Sequence, residues 1–532
     1  MVALGDLDMG PEGPIIESVE QMFGMFCGDV YPRFAKWRQQ LLDQPDQLEA
    51  LEREVQAEFI KGSGFVVAGL VAVAMMSPQL NAASEQTRRQ FATPLTRGRK
   101  RRIAFKLLGG FVMWINSLYC EPKRGLFRRK DDSATGLYIE LAQLGFGKGI
   151  SPGVQSSVAR QAALCPSLQM ARDELERGGL KLDTKAIRRI ANQTGEGMLK
   201  LRKTQLMRWR AGELPAGKEF EGKRVTVQID GGRTKIRESL QAAREQPEQL
   251  NADGLVEQNV PGRSKPKSKR TFSSEWREPK LITIFVHDDD GRMEKSARAT
   301  IDGTFTGPDA TAELVAMHLH RLGAGEASSV TFVADGALWI WDRIDRIISL
   351  AKLSLKVKTY QVLDNCHASH HVSLALAALG LNEKERMPLY REHRTLLRNG
   401  QWRRVVGELK ELVPDSKTNA DFQREIDYLS KHGEAGRLSY PHFRSLGIPL
   451  GSGAIESSIR RVINMRLKNN GTFWRVENAE IMLQLRALVI SNRWDDRMSE
   501  VRSMNRRLVE PDWHWTPQPM SSKSEFSSNI PV

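Results

Sequence analysis

The chain has 532 residues, with 79 lysines and arginines against 64 aspartates and glutamates, a net charge of +15 and a pI of about 9.6. This length allows roughly two to four domains. The basic balance favours a polyanionic partner such as nucleic acid over an accidentally basic soluble protein. Its four cysteines are far apart and form no CxxC pair, which argues against a zinc ribbon or a redox pair and fits a reducing cytosol.

Nothing in the sequence predicts a membrane protein. The first residues lack the basic start and apolar core of a signal peptide. The most apolar stretch, 64–76, is shorter than the roughly 20 residues that span a bilayer. We therefore expect a buried helix there, in a cytoplasmic protein that has no membrane partner.

The N-terminal part, 1–145, is predicted to be helical and basic. It holds two basic stretches, RGRKRR at 97–102 and KRGLFRRK at 123–130, each typical of a solvated loop or face. Such stretches are either solvated surfaces or contacts to phosphate.

Residues 146–215 are also predicted to be all-helical, with a possible helix-turn-helix over 182–203. Asp183 or Thr184 would cap its first helix, and Gly195 would provide the turn. The second helix would offer cations to DNA; a plain helical hairpin is the alternative. These cations are Lys200, Arg202, Lys203, Arg208 and Arg210.

From about residue 222 the pattern changes to strands. Three β-rich segments, RVTVQID, PKLITIFV and SARATIDGTF, are followed by a helix, the strand SSVTFVAD, a second helix and the strand VKTYQVLD. Sequential strands form a meander, and strands joined by helices add in parallel. We predict an α/β core of RNase H-like fold, a mixed five-stranded sheet whose first and fourth strands are neighbours.

This core would comprise 216–370 and 446–500, with an all-α insertion at 371–445 and an all-α DNA-binding region before it. A polar insert at 240–278 is predicted to be a flexible loop, and the tail at 511–532 to be disordered.

Three carboxylates have settings suited to metal chemistry. Asp230 and Asp335 each end an apolar strand and precede glycine, and Glu456 lies early on an amphipathic helix with Ser452 as a candidate N-cap. Taken singly, each is equally a turn aspartate or a surface glutamate. Together they can hold two divalent cations that clamp a phosphodiester. The cations that follow Glu456 would hold phosphates or form a solvated face; they are Arg460, Arg461, Arg466 and Lys468.

The run LDNCHASHH at 363–371 brings Asp364 and His367 to a strand end, where they could position a substrate near the metals. A zinc site there is conceivable, but no second ligand pair of suitable spacing occurs. Asp302, which precedes Gly303, is interpreted as a turn residue.

Four segments carry a resemblance: VQIDGGR, FVADGALWIW, LDNCHASHH and GSGAIESSIRRVINMRLKNNGTFWRVENAEIMLQLRA. In them the chain resembles DDE transposases of bacterial insertion sequences, closest to the Kra-type family and related to Mutator-like transposases. The resemblance covers about 222–495 well and 146–210 loosely. One departure is that relatives often carry a cysteine-rich patch before the helix-turn-helix, whereas the matching region here has only Cys120.

The resemblance implies that Asp230, Asp335 and Glu456 bind two Mg²⁺ or Mn²⁺ ions, and that Asp364 and His367 match the Asp/Cys-x-x-His element. It implies cleavage of double-stranded DNA at terminal inverted repeats, transfer to target DNA, and at least a homodimer. Two alternatives remain: an RNase H-like nuclease without strand transfer, and a non-catalytic transposase-derived DNA-binding regulator.

Overall fold

The computed structural model describes residues 19–90, 95–122, 137–147, 149–239, 272–413, 420–469 and 471–509. The basic stretch at 123–130, residues 240–271 of the polar insert and the 511–532 tail lie outside the described residues. The chain divides into two compact units. The first takes in Met1–Val154, Gly178–Leu180 and Ser499–Val532, and the second Gln155–Arg177 and Lys181–Met498.

The first unit combines helices with a small sheet. Its helices are α1 (Val19–Asp43), α2 (Leu48–Met76), α3 (Pro78–Gln90) and α4 (Ile139–Gln143), and its strands are β1 (Leu95–Lys106), β2 (Val112–Pro122) and β3 (Leu137–Tyr138). The strands are antiparallel in the order β1-β2-β3. Phe65 of α2, Phe105 of β1 and Met113 of β2 are buried together in its core.

The prediction of an all-α N-terminal region is therefore wrong, and RGRKRR forms an exposed part of strand β1. The physical reason lies in the residues that follow the arginines. Ile103 and Phe105 alternate with smaller or polar neighbours and pair with Ile115 and Met113 of β2. This period-two pattern forms a strand, but the run of cations conceals it in the sequence.

Helix α2 is longer than its apolar stretch suggested. The helical segment Pro45–Met76 contains a window with mean hydropathy of 1.9, and 33% of that window is buried. By length and composition alone it could cross a membrane, so the prediction from length was wrong. Core helices of soluble proteins also pass this test, and the protein looks soluble overall.

The second unit is mixed α/β, built on a five-stranded sheet of order β10-β9-β4-β7-β8. The strands are β4 (Arg224–Gly231), β7 (Lys280–Val286), β8 (Thr300–Thr304), β9 (Ser329–Ala334) and β10 (Lys358–Leu363). Strands β4, β7 and β8 are antiparallel neighbours, whereas β9 lies parallel to both β4 and β10. The five predicted strands and the pairing of the first with the fourth are thus confirmed.

Helices provide the crossovers of this sheet. They are α8 (Pro308–Leu322), which precedes β9, and α9 (Leu338–Trp341) and α10 (Ile344–Leu350), which precede β10. The central strands are buried on both faces, with Val225, Val227 and Ile229 of β4 in the same core as Phe332 of β9.

Strands β5 (Thr234–Ser239) and β6 (Phe272–Arg277) form a separate antiparallel pair. Residues 272–277 belong to the insert that we predicted to be a flexible loop, so for them the prediction was wrong. Their backbone groups are paired with β5 from Phe272 to Arg277.

The remaining elements are helical. Before the sheet lie α5 (Pro152–Leu164), α6 (Leu168–Arg177) and α7 (Thr184–Arg210). After β10 lie α11 (Asn365–Ala378), α12 (Glu383–Arg398), α13 (Trp402–Glu411), α14 (Ala420–Glu434) and α15 (Tyr440–Ser445). The chain then continues through α16 (Gly453–Ile459), α17 (Val476–Ile490) and α18 (Trp494–Val509).

The predicted helix-turn-helix is not present. Helix α7 runs without a break through Gly195, and Asp183 caps it by accepting a hydrogen bond from the Ala186 amide at 2.6 Å. A Cβ atom on Gly195 would lie 2.3 Å from Cγ2 of Ile481 on α17. The glycine therefore permits two helices to pack closely, and it makes no turn.

Candidate active site

Asp230 and Asp335 lie side by side at one edge of the sheet. Strands β4 and β9 are parallel, and their register pairs Ile229 with Ala334. Asp230 follows Ile229 and Asp335 follows Ala334, so both carboxylates leave adjacent strands at the same level. Parallel strands place their carboxyl ends at the same edge of a sheet, where sites in α/β proteins commonly form.

The environment of Asp230 disfavours its negative charge. Burial raises the pKa of this carboxyl to about 6, and the neighbouring charge of Asp335 raises it further in the same direction. A hydrogen bond of 2.6 Å from the Gly231 amide and the nearby His367 oppose the rise only in part. The pair therefore holds negative charge that the surrounding protein does not balance.

The glycine after Asp335 is required by a side chain from the helical insertion. A Cβ atom on Gly336 would lie 1.8 Å from the ring of Tyr428, which belongs to α14. That ring stacks on His371 with centroids 3.5 Å apart, and His371 in turn bonds Glu425 at 2.5 Å. The Tyr428 hydroxyl is buried without a hydrogen-bond partner in the described structure, and burial raises its pKa. Helix α14 thus covers the turn that carries Asp335.

Glu456 lies in the first turn of α16, and 55% of its side chain is exposed. The Ser452 hydroxyl donates a hydrogen bond to its carboxylate at 3.0 Å, and Nε2 of His367 lies 4.0 Å away. Ser452 occupies the N-cap position as predicted, but its hydroxyl makes no capping bond to the backbone. It orients Glu456 instead.

Asp364 is a structural link between two segments of the site. It is 1% exposed, and it caps α11 by accepting a hydrogen bond from the His367 amide at 2.8 Å. Its other oxygen accepts from the amide of Ser452. The Asp364–His367 segment and the start of the Glu456 helix are therefore held together by one buried carboxylate.

Sequence reasoning missed Gln228, which connects the sheet to the same helix. This side chain lies in the middle of β4 and is 1% exposed. Its Nε2 donates to the Gly451 carbonyl at 2.9 Å, and its Oε1 accepts from the Ile455 amide at 2.9 Å. A single amide in the apolar run RVTVQID was the available signal, because a buried polar side chain requires partners.

The cations after Glu456 have two different environments. Arg460, Arg461 and Lys468 are exposed, and the first two belong to a π-helical turn at Arg460–Asn464. Arg466 is only 5% exposed, lies 5.2 Å from the centre of the Trp474 ring and donates to the Ala162 carbonyl. Burial lowers the pKa of Arg466. The prediction that Arg466 contacts DNA is therefore wrong.

The cations of α7 also differ from expectation. Lys200 and Lys203 are exposed, but Arg202 is enclosed between α7, β8 and α17. Arg202 donates to Asp302 at 2.9 Å and to Glu480 at 2.5 Å, so it does not face DNA. Asp302 is a buried residue of β8 and not a turn residue, and His318 bonds its other oxygen at 2.8 Å.

The donor atoms at the sheet edge suit a hard divalent cation. Carboxylate oxygens are the ligands that Mg²⁺ prefers, and a cation would offset the charge that raises the pKa of Asp230. Across the residues that the structure describes, no group of three or more His, Cys, Asp or Glu side chains is arranged to hold a metal ion.

No protein-family model, characterised protein or solved structure matches this chain.

Proposed function

We propose that this protein is a metal-dependent DNA transposase, which cleaves DNA at the ends of an insertion sequence and joins those ends to a target. The observation that carries the proposal is the adjacency of Asp230 and Asp335 at the ends of parallel strands, with the pKa of Asp230 raised to about 6. Strongly perturbed carboxylates at a strand edge are typical of catalytic sites.

The strand order supports an RNase H-like fold for the sheet. A three-stranded antiparallel meander is followed by two strands that are added in parallel through helical crossovers. The helices between β10 and α16 would then be the insertion that precedes the glutamate in the transposases that this chain resembles.

Asp230, Asp335 and Glu456 would hold two Mg²⁺ or Mn²⁺ ions. When bound, such ions lower the pKa of the attacking oxygen and neutralise charge on the phosphodiester. Within this chain, Ser452 orients Glu456, and Asp364 fixes the position of Ser452. His367 lies near both Asp230 and Glu456, where its imidazole can donate a hydrogen bond to a phosphate oxygen.

The partner would be double-stranded DNA, comprising terminal inverted repeats and target DNA. Arg460, Arg461 and Lys468 are exposed beside Glu456 and suit the phosphates of the scissile strand. Lys200 and Lys203, which are also exposed, remain candidates for contacts to DNA away from the cleaved bond. Joining two ends implies at least a homodimer, and a bacterial cytoplasmic location follows from the same proposal.

The test is cleavage of a labelled duplex that carries the flanking terminal repeat, with Mg²⁺ or Mn²⁺. We expect nicking at the repeat boundary in the wild type and its loss in Asp230→Asn and Glu456→Gln, with binding of the ends retained. The matched controls are Asp342→Asn and Glu477→Gln, which remove exposed carboxylates of the same unit. Retained cleavage in Glu456→Gln would refute the assignment.

The product distinguishes the related functions. Joined target DNA identifies a transposase, whereas cleavage without joining identifies a nuclease. Specific binding without nicking in any variant identifies a regulator that lacks catalysis.

A further inference from the structure

The β1–β2 hairpin of the first unit carries a concentration of cations that the proposed active site does not use. Glu121 is the only carboxylate between Leu95 and Pro122. The cations of the same segment are Arg97, Arg99, Lys100, Arg101, Arg102 and Lys106. All of them except Lys106, which is half-buried, are exposed.

The register separates an inner face of this hairpin from an outer one. Phe105 pairs with Met113 and Ile103 with Ile115, and these residues pack in the core of the unit against helix α2. Successive strand residues point to opposite faces. The residues between them therefore form the outer face, which consists of Lys100, Arg102, Ala104, Lys106, Val112, Trp114, Asn116 and Leu118.

This outer face is cationic, and an aromatic ring orders one of its cations. Trp114 remains 39% exposed, and the Arg102 guanidinium lies 5.6 Å from the centre of its ring. Stacking on an indole holds a guanidinium in a fixed plane at little entropic cost. Glu121 forms its ion pair with Arg101 at 3.5 Å. Arg101 and its partner Ser117 belong to the inner-face register.

We propose that this hairpin is a DNA-binding element, which lies along a B-form duplex and places Lys100, Arg102 and Lys106 against its phosphates. The major groove of B-DNA, about 12 Å wide, admits a two-stranded β-ribbon. The major groove of duplex RNA is too narrow for side chains to enter. The hairpin needs no carboxylate of the second unit for this role, so the proposal does not depend on catalysis.

An anionic membrane is the less suitable partner for this surface. It would also attract the cations, but stable association requires a substantial apolar area to enter the lipid interface. The exposed apolar side chains of the outer face are Trp114 and Val112, beside the polar Asn116, whereas Ala104 and Leu118 are half-buried. Charge together with a polar, ribbon-shaped surface therefore favours DNA.

The experiment measures binding of the full-length protein to a duplex of about 30 base pairs by fluorescence anisotropy, over a range of salt concentrations. The test variant combines Lys100→Gln, Arg102→Gln and Lys106→Gln. The matched control combines Lys384→Gln, Arg391→Gln and Lys410→Gln, which removes the same charge from exposed positions of the helical insertion. All proteins are first compared by circular dichroism and thermal midpoint.

Loss of three phosphate contacts should weaken binding about 10–100-fold near 0.1 M salt and reduce the slope of log K against log salt by about 3. The control should change the affinity less than about threefold. Lys100→Arg with Lys106→Arg should bind like the wild type, which shows that charge is required rather than lysine itself.

Three results would overturn the proposal. The hairpin variant could bind DNA as tightly as the control, in which case the cations serve only to prevent pairing of the β1 edge with other strands. The wild type could instead prefer duplex RNA, or vesicles that contain phosphatidylserine, over DNA. Asp230→Asn should bind like the wild type, so loss of cleavage and loss of hairpin binding are separate outcomes.

Discussion

Replacing Asp230 by asparagine is expected to stabilise the protein in the absence of divalent cations. The pKa of Asp230 rises from 3.8 to about 6 in the folded state. Each pKa unit corresponds to about 1.4 kcal/mol, so ionised Asp230 lowers the free energy of unfolding by at most about 3 kcal/mol. Partial solvent exposure reduces this to about 1–2 kcal/mol. Asparagine keeps an oxygen that can accept from the Gly231 amide and removes the charge.

The pH dependence gives the prediction its sign. A carboxyl whose pKa is higher in the folded state binds more protons there than in the unfolded state. The free energy of unfolding of the wild type therefore falls as pH rises from about 4 to 6. The variant should therefore unfold about 1–3 °C higher than the wild type at pH 8, and the gap should close as pH falls towards 4. Thermal unfolding in EDTA measures this, with Asp342→Asn as the control. A variant less stable at pH 8, or a gap independent of pH, would refute the reasoning.

Three further predictions concern the framework of the second unit. Arg202→Met removes the arginine partner of the buried Asp302 carboxylate and should lower the free energy of unfolding by about 3–5 kcal/mol. The exposed control Lys200→Met should change it by less than about 0.5 kcal/mol; urea denaturation of both variants measures the difference. Gly195→Ala should lower the free energy of unfolding by about 1–3 kcal/mol, because the added methyl group would clash with the neighbouring helix. In the control Gly407→Ala the methyl group meets nothing within 4 Å and should raise it by up to about 1 kcal/mol. If the thermal midpoints fall in the opposite order, residue 195 lies in a turn and not in a helix-packing contact. Burial lowers the pKa of His318 to about 4; because a histidine with a lowered folded pKa binds fewer protons in the folded state, stability should fall as pH decreases from about 6.5 to 4. His318→Gln, whose amide can still donate a hydrogen bond, should flatten that part of the curve measured by urea denaturation, and an unchanged acid limb would show that other groups control it.

The central sheet was predictable because its strands are apolar segments bounded by clear turn signals. Asp230 and Asp335 could be placed at one edge from strand order alone, since parallel strands share the direction of their carboxyl ends. The position of Glu456 beside His367 depends on contacts between distant segments, and the amide of Gln228 in β4 was the local sign of them.

The errors arose where local patterns allow two answers. The region before residue 145 was predicted to be helical, yet the alternating residues that follow RGRKRR form strand β1. Gly195 and Arg202 suit a DNA-reading motif in sequence, but tertiary packing decides their roles, because the first meets Ile481 and the second pairs with Asp302. Propensity and charge alone do not reveal such partners.

The order of the segments along the chain determines when each part of the candidate site is synthesised. When the ribosome has released the chain as far as β10, Asp230 and Asp335 have already emerged. The Tyr428 ring that covers the turn of Asp335 and the helix that carries Glu456 have not yet been made. Under the proposed function, a chain that ends before Glu456 would lack one of the three carboxylates, so cleavage of DNA would require that nearly all of the chain be translated.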